Sequence, residues 1–241
     1  MIKLAISGCC GKMGARILNF ALEDKNFQVT CLLERKGHDS IGKKSAGLEI
    51  TDDIEKIRDS DILIEFTSPE STVIHLEVCV KNGKAIVIGT TGLSEEQLGI
   101  IKLASEKIAV VFSPNMSVGV NLLFSLLKEA SRKLSNDYKV AITEAHHVHK
   151  KDAPSGTAKK LAQIIKDNGS QKVGDIKSIR EGEITGDHDI CFESQEDIIR
   201  LSHSAKTRDI FAKGSLVAAK FVSEKKSGLF DMQNVLNKKF S

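Results

Sequence analysis

The segment from Glu144 to Ala158 reads EAHHVHKKDAPSGTA, and it holds three of the chain's 7 histidines within four positions, followed by Lys150, Lys151 and Asp152. An imidazole gives or takes a proton near neutral pH, and an ammonium donates one while also holding an anion. The residues that follow add a receptor. Ser155 is an N-cap type, and Ala158, Leu161, Ala162 and Ile165 recur at helical spacing until Asn168-Gly169. Gly156 and Thr157 then fall in the first helical turn, where exposed amides and one hydroxyl suit a carboxylate. On one continuous strand, His146 and Lys150 share a face but stand about 13 Å apart at about 3.3 Å per residue. A strand ending near His146, with a loop that folds Lys150 back toward the helix start, brings them together. The chemistry expected is reduction of an anionic substrate that gains a hydride and a proton.

Two blander readings compete. A metal site on His146, His147 and His149 is disfavoured, because neighbouring histidines on an extended chain face opposite ways and no clustered carboxylate completes a tetrahedral set. A solvated charged loop is the other. No metal is expected.

The elements that must position these groups begin with an alternation. Apolar runs at 2–7, 27–34, 61–66, 84–89 and 108–113 are separated by helical segments such as 94–106, which opens with the capping pattern Ser94-x-x-Gln97. Repeated β-α-β units imply a parallel sheet with helices on both faces, whose strand-end loops share the edge where such sheets bind ligands. The first of these loops runs Gly8-Cys9-Cys10-Gly11-Lys12-Met13-Gly14, ahead of a helical stripe of Met13, Ile17, Leu18, Ala21 and Leu22. Gly8 permits a tight turn, Gly11 and Gly14 permit close backbone approach, and the helix N-terminus faces a pyrophosphate. Cys10 stands where the commonest dinucleotide fingerprint has its middle glycine. Glu34, 20 residues past Gly14, suits the ribose hydroxyls of NAD, and the adjacent Arg35 suits the extra phosphate of NADP, so either NADH or NADPH is expected. Gly89, Thr90 and Thr91, with Ser113, Pro114, Asn115 and Met116, lie in later loops of the same edge and are expected to border the nicotinamide.

Composition bounds the rest. With 241 residues, 41% of them apolar, the chain suffices for one large domain or two small ones. Its 35 basic and 32 acidic residues are dispersed, giving a net charge of +3 without a basic block, which argues against nucleic acid as a partner. Cys9, Cys10, Cys31, Cys79 and Cys191 are odd in number and include no Cys-x-x-Cys pair, which argues against a disulfide framework and a zinc ribbon, suits a reducing cytoplasm and leaves Cys9-Cys10 as packed loop thiols. No run of 18 apolar residues occurs and the N-terminus is too short for a signal peptide, so a soluble, unprocessed protein without membrane contact is expected.

In the second half, the helix pattern from Val118 is apolar on most faces and reads as buried between neighbours. After the helix at 158–168 come four segments read as strands, DIKSIREG, HDICFES, DIIRLSHSA and SLVAAKFV, with Gln195-Glu196 as a hairpin turn. Such a mixed, open sheet leaves one face for a partner, so oligomerisation is expected. Arg180, His188 and His203 read as structural or solvated and stay outside the candidate site.

The run Glu144-x-His146-His147-x-x-Lys150-x-Asp152-x-Pro154-Ser155-Gly156-Thr157-Ala158 closely resembles the signature of the dihydrodipicolinate reductase family of the diaminopimelate route to lysine. The Gly8 loop, Glu34-Arg35, GTTG at 89, NMSVGVN from 115 and SGLFDM at 227–232 agree with it. The resemblance implies a Rossmann-like parallel-sheet domain, 1–117 and 218–241, and a second α/β domain with a mixed open sheet, 118–217, for substrate binding and tetramerisation. It implies NAD(P)H-dependent reduction of 4-hydroxy-tetrahydrodipicolinate to tetrahydrodipicolinate by a cytoplasmic homotetramer. By position, His146 is the proton donor or acceptor and Lys150 a proton donor, while His147, Gly156 and Thr157 bind the cyclic dicarboxylate. The cofactor is then held by Gly8, Cys9, Cys10, Gly11, Lys12, Met13, Glu34, Arg35, Gly89, Thr90, Thr91, Ser113, Pro114, Asn115 and Met116. Lys12, where many members carry arginine, and Cys10 depart from the pattern and bear on cofactor preference. The rivals are another nicotinamide-dependent oxidoreductase and a cofactor sensor without turnover; a sensor has no use for the 146–157 constellation.

Overall fold

In the computed structural model, which describes residues 1–237, the alternation of apolar runs and helices becomes β1 (Ile2–Ser7), α1 (Lys12–Glu23), β2 (Phe27–Leu33), β3 (Lys44–Ser45), β4 (Leu48–Thr51), β5 (Ile62–Glu65), α2 (Pro69–Asn82), β6 (Ala85–Ile88), α3 (Glu95–Ser105) and β7 (Ala109–Phe112). The second half supplies α4 (Val118–Lys133), β8 (Lys139–His146), α5 (Gly156–Asn168), β9 (Lys172–Arg180), β10 (Asp187–Glu193) and β11 (Ile198–Ser204). The chain ends with α6 (Asp209–Val222), β12 (Gly228–Phe230) and α7 (Met232–Asn237). Residues 238–241 of the expected 218–241 segment lie outside the described residues.

Two units separate along the chain, one of Met1–Ser117 with the segment from Phe211 onward, the other Val118–Ile210. The return to the first unit therefore occurs within the first turn of α6 rather than at 218, because that helix runs unbroken through the expected boundary.

In the first unit, an eight-stranded sheet runs in the order β12-β7-β6-β5-β1-β2-β4-β3, parallel throughout except where β3 meets β4. Successive residues of β1 point to opposite faces. Leu4 and Ile6 enter one core with Ile17, Leu18, Leu216 and Ala219, while Ala5 enters the other with Leu63, Leu76, Cys79 and Ile101. Burial on both faces is what makes the middle of these strands, such as Leu4–Ile6 and Ile62–Ile64, a continuous apolar run. The capping box at Ser94 and Gln97 forms as its spacing predicts. Leu22 departs from the expected stripe: α1 buries Gly14, Ile17, Leu18 and Ala21, and Leu22 is 54% exposed.

A larger correction concerns SLVAAKFV, expected as a strand and found inside α6. Periodicity cannot separate a short apolar run in a buried helix from a buried strand. Here Ala212, Ser215, Ala219 and Val222 recur at helical spacing in the core. Gly214 allows the helix backbone to close on Met116, whose carbonyl oxygen would lie 1.7 Å from a Cβ at that position.

The second unit packs α4 and α5 on a four-stranded sheet ordered β11-β10-β8-β9, with β8 parallel to β9 and antiparallel to β10. The Gln195-Glu196 turn joins β10 to β11 as an antiparallel hairpin. α4 is buried on one face only: Val120, Leu123 and Leu127 pack inward, whereas Leu122 and Leu126 stand 52% and 49% exposed. Within this unit, burial between neighbours holds for that face and not for the one that carries Leu122 and Leu126.

Candidate active site

Along β8 the side chains alternate, and the inward set continues past Val140 and Ile142 to Glu144 and His146. Pairing then fixes their neighbours. Glu144 lies opposite His188 of β10 and Ser178 of β9, and His146 lies beside Arg180 at the end of β9. Three strands thus deliver a carboxylate, two imidazoles and a guanidinium to one place.

Glu144 is fully buried, and both its oxygens are engaged. Oε1 accepts from Arg180 Nη2 at 2.8 Å and from the Ser155 amide at 3.3 Å. Oε2 accepts from Arg180 Nη1 at 3.0 Å and is 2.5 Å from His146 Nδ1. Burial pushes the carboxyl up, but the two-pronged Arg180 contact and His146 outweigh it and hold the pKa at about 2. A carboxylate at Nδ1 places the neutral imidazole's proton there and leaves Nε2 as the atom able to accept another. Burial, assisted by the Lys150 and Arg180 charges, outweighs the pull of Glu144 and sets His146 below its ordinary value.

The loop after β8 folds back as expected. The Lys150 amide donates to the His147 carbonyl at 3.1 Å, Lys150 Nζ sits 2.7 Å from Asp152 Oδ1, and Arg180 Nη2 ties the Asp152 carbonyl at 2.5 Å. Lys150 and the amino end of α5 are thereby held against the Glu144 cluster from two sides. Ser155 caps α5 by accepting from the Ala158 amide at 3.2 Å, and Gly156 and Thr157 form its first two positions. A Cβ at Gly156 would meet nothing within 4 Å, so the backbone there faces open space. His147 lies half-buried, with Nε2 3.3 Å from Arg208 Nη2, while His149 is an exposed side chain 3.7 Å from Glu183. The Glu144–His146 pair is thus joined to the start of α5 through the Ser155 amide and to Lys150 through Arg180 and Asp152, while His147 pairs with Arg208.

Arg180 and His188, which read from sequence as structural or solvated, are structural, and they hold the two central residues in place. Arg180 clamps Glu144, and the buried His188 meets His146 edge to face at 5.3 Å and places Nε2 3.3 Å from Ser155 Oγ. Neither carries a local signal, because only strand pairing places them. Glu144 had one: it sits two residues before His146 on a strand, on the same face.

Burial, then the nearby His146, lowers His188 to about 4 from an ordinary 6.5. Between those pH values the unfolded chain binds the proton and the folded chain does not, so stability falls as pH falls. The loss is of order 3 kcal/mol by pH 4. In thermal melts, His188→Gln is expected to flatten this decline between pH 6.5 and 4; an unchanged slope would discount His188 as its source.

In the first unit, the loop after β1 brings together Gly8, with φ +66°, and Gly14, where a Cβ would lie 2.1 Å from the Gly8 carbonyl oxygen. Gly11 precedes the first residue of α1 without a side-chain cap, so the helix amides are presented to a ligand. Glu34, just past β2, accepts from the Cys10 amide at 3.1 Å and the Arg35 amide at 3.0 Å, which holds its carboxylate over the loop. Such a cradle fits a dinucleotide. Cys9 is buried, and that burial with the neighbouring Cys10 pushes its thiol up to about 12. Cys10, Lys12 and Arg35 are exposed and Met13 half-buried. In the later loops Thr90 is buried with its hydroxyl accepting from the Thr67 amide at 3.1 Å, and the Met116 side chain lies in the core. Gly89, Thr91, Pro114 and Asn115 retain exposure, and Ser113 is bound to the Asn115 carbonyl at 2.9 Å.

Residues 2–116 match the family described as dihydrodipicolinate reductase, N-terminus, and residues 119–236 match dihydrodipicolinate reductase, C-terminus. A 4-hydroxy-tetrahydrodipicolinate reductase from Polynucleobacter necessarius is 39% identical over 98% of this chain and 98% of its own length. Another from Nitrosospira multiformis is 37% identical over 98% and 97%. Among solved structures, a dipicolinate-bound dihydrodipicolinate reductase from Paenisporosarcina sp. TG-14 superposes with a TM-score of 0.84 at 26% identity, over 97% of this chain and 99% of that one.

Proposed function

The chain belongs to the dihydrodipicolinate reductase family and is an NAD(P)H-dependent oxidoreductase acting on 4-hydroxy-tetrahydrodipicolinate; from that premise we propose which residues carry the reaction. In balance, the substrate loses water, and a hydride and a proton add to give tetrahydrodipicolinate. The dinucleotide supplies the hydride. Gly8 to Met13 and the amino end of α1 take its pyrophosphate, Glu34 or Arg35 its ribose end, and the loops at Gly89–Thr91 and Ser113–Met116 its nicotinamide side.

For the dicarboxylate, Gly156 and Thr157 receive one carboxylate at the amino end of α5, and His147, beside Arg208, receives the other. Lys150 gives the proton that accompanies the hydride. His146 gives or takes a proton through Nε2 while Glu144 fixes Nδ1. The single observation that carries this assignment is the Glu144-anchored His146 held with Lys150 against a helix amino end. Exposed Leu122 and Leu126 support assembly of the second unit with further copies, and we assign a homotetramer. Among the described residues no helix is long and apolar enough to cross a membrane. Five free cysteines support a cytoplasmic location, and the small net charge of +3 argues against nucleic acid as partner.

The test follows loss of reduced cofactor when the protein meets the product of dihydrodipicolinate synthase; absence of consumption while cofactor binds rejects the reading. In the same assay, Gly156→Ala keeps the fold, since its Cβ enters open space and alanine favours helix. It obstructs a charge-assisted contact worth about 1.5–3 kcal/mol, so the substrate KM rises roughly ten- to a hundredfold. An unchanged KM would remove the α5 amino end from the substrate site.

A further inference from the structure

We propose that Cys9, Cys10 and Glu34 form a binding site for a thiophilic divalent cation, Zn2+ in biology, and that its occupancy excludes NAD(P)H. The sequence alone argued against zinc, since it offers no Cys-x-x-Cys and the clustered histidines diverge. Folding supplies what the sequence hides. The two Sγ atoms lie 3.9 Å apart, and one ligand atom from each of Cys9, Cys10 and Glu34 falls within 4.8 Å of the others. A tetrahedral zinc with Zn–S bonds of about 2.3 Å holds its two sulfurs about 3.8 Å apart. The thiols already stand at the spacing that a shared metal ion imposes.

The third ligand is oriented as metal ligands usually are. Glu34 comes from a different element, the end of β2, and backbone amides of Cys10 and Arg35 fix its carboxylate, the kind of outer support that tunes metal sites. Cys10 is exposed, which gives an ion its entry path and leaves a fourth coordination position to water. The histidine cluster offers nothing comparable, because His146 Nδ1 is committed to Glu144 and the His147 and His149 rings are 6.1 Å apart.

Exclusion follows from shared atoms. An ion on Glu34 and Cys10 occupies the carboxylate assigned to the ribose hydroxyls and the loop assigned to the pyrophosphate, so metal and dinucleotide compete. Metal capture itself stands without the cofactor assignment; only the competition rests on it.

The full-length protein, kept reduced with a non-chelating phosphine, is titrated with Cd2+ alone as a spectroscopic probe. A sulfur-to-cadmium charge-transfer band that saturates at one equivalent is expected. Cys10→Ser weakens Cd2+ binding at least about tenfold, as losing even an outer partner of a metal ligand does. The double variant Cys9→Ser/Cys10→Ser abolishes the band. Cys10 is exposed, so its single substitution decides the matter even where loss of the buried Cys9 disturbs folding. With Zn2+ alone, the apparent Kd for NADH rises in proportion to free metal, and a chelator reverses it. No stoichiometric band, or a band unchanged by Cys10→Ser, overturns the site. NADH binding indifferent to saturating Zn2+ overturns the competition; if Glu34→Ala also leaves NADH binding unchanged, the fault lies in the cofactor assignment and not in the metal site.

Discussion

Replacing His146 by alanine lowers kcat by about 10² to 10⁴-fold, the range for losing a positioned proton-transfer group, while the Kd for NADH stays at the parental value. The size of the effect comes from how fully the imidazole is committed. Nδ1 is held by a carboxylate that is itself clamped by Arg180, so the ring has one orientation and one protonation pattern. Its pKa lies below the ordinary value, so it is neutral and able to accept a proton near pH 7. Nε2 faces Gly186, where a Cβ would come within 3.0 Å of it. Gly186→Ala should therefore disturb the ring and lower kcat in the same direction. The measurement is steady-state turnover alongside cofactor titration by fluorescence. A His146→Ala enzyme with parental kcat, or one that loses NADH binding, would remove His146 from proton transfer.

What could be read from the sequence was whatever depends on neighbours along the chain. The turn at Gly8, the stop of β8 at His146, the fold-back of Lys150 and the Ser155 cap are all set by residues within a few positions of one another. Arg180 and His188 depend instead on the pairing of β8 with β9 and β10, which no local pattern encodes, and so a clamp and an imidazole partner looked like isolated polar residues. The same limit explains the Cys9-Cys10 pair, whose third partner arrives from another strand. The helical state of SLVAAKFV in α6 is hidden for a different reason. An apolar run rich in alanine and valine suits a buried helix and a buried strand alike, and packing around Met116 decided between them.

Removing the carboxylate of Glu144 separates the structural share of this cluster from its catalytic share. Glu144→Ala removes both carboxylate oxygens from Arg180, which keeps the Ile179 and Asp152 carbonyls, and leaves the Ser155 amide and His146 Nδ1 without their acceptor, which is destabilising by about 1–3 kcal/mol. The native contribution also has a pH signature. The folded carboxyl titrates at about 2 against an ordinary 4.5, so its stabilisation is present above pH 4.5 and is lost as pH falls toward 2. In Glu144→Ala that part of the acid dependence disappears. A companion variant, Glu144→Leu with Arg180→Met, withdraws both charges, so the share of the lost stability that comes from the unpaired guanidinium returns, whereas the share from the orphaned Ser155 amide and His146 Nδ1 does not. Activity does not return with it, since the His146 ring has lost the group that fixes Nδ1. Denaturant unfolding at pH 7 and kcat measured on both variants give the two readouts. Recovery of turnover in the double variant would show that Glu144 serves folding alone, and failure to recover stability would locate the destabilisation outside the Glu144–Arg180 pair.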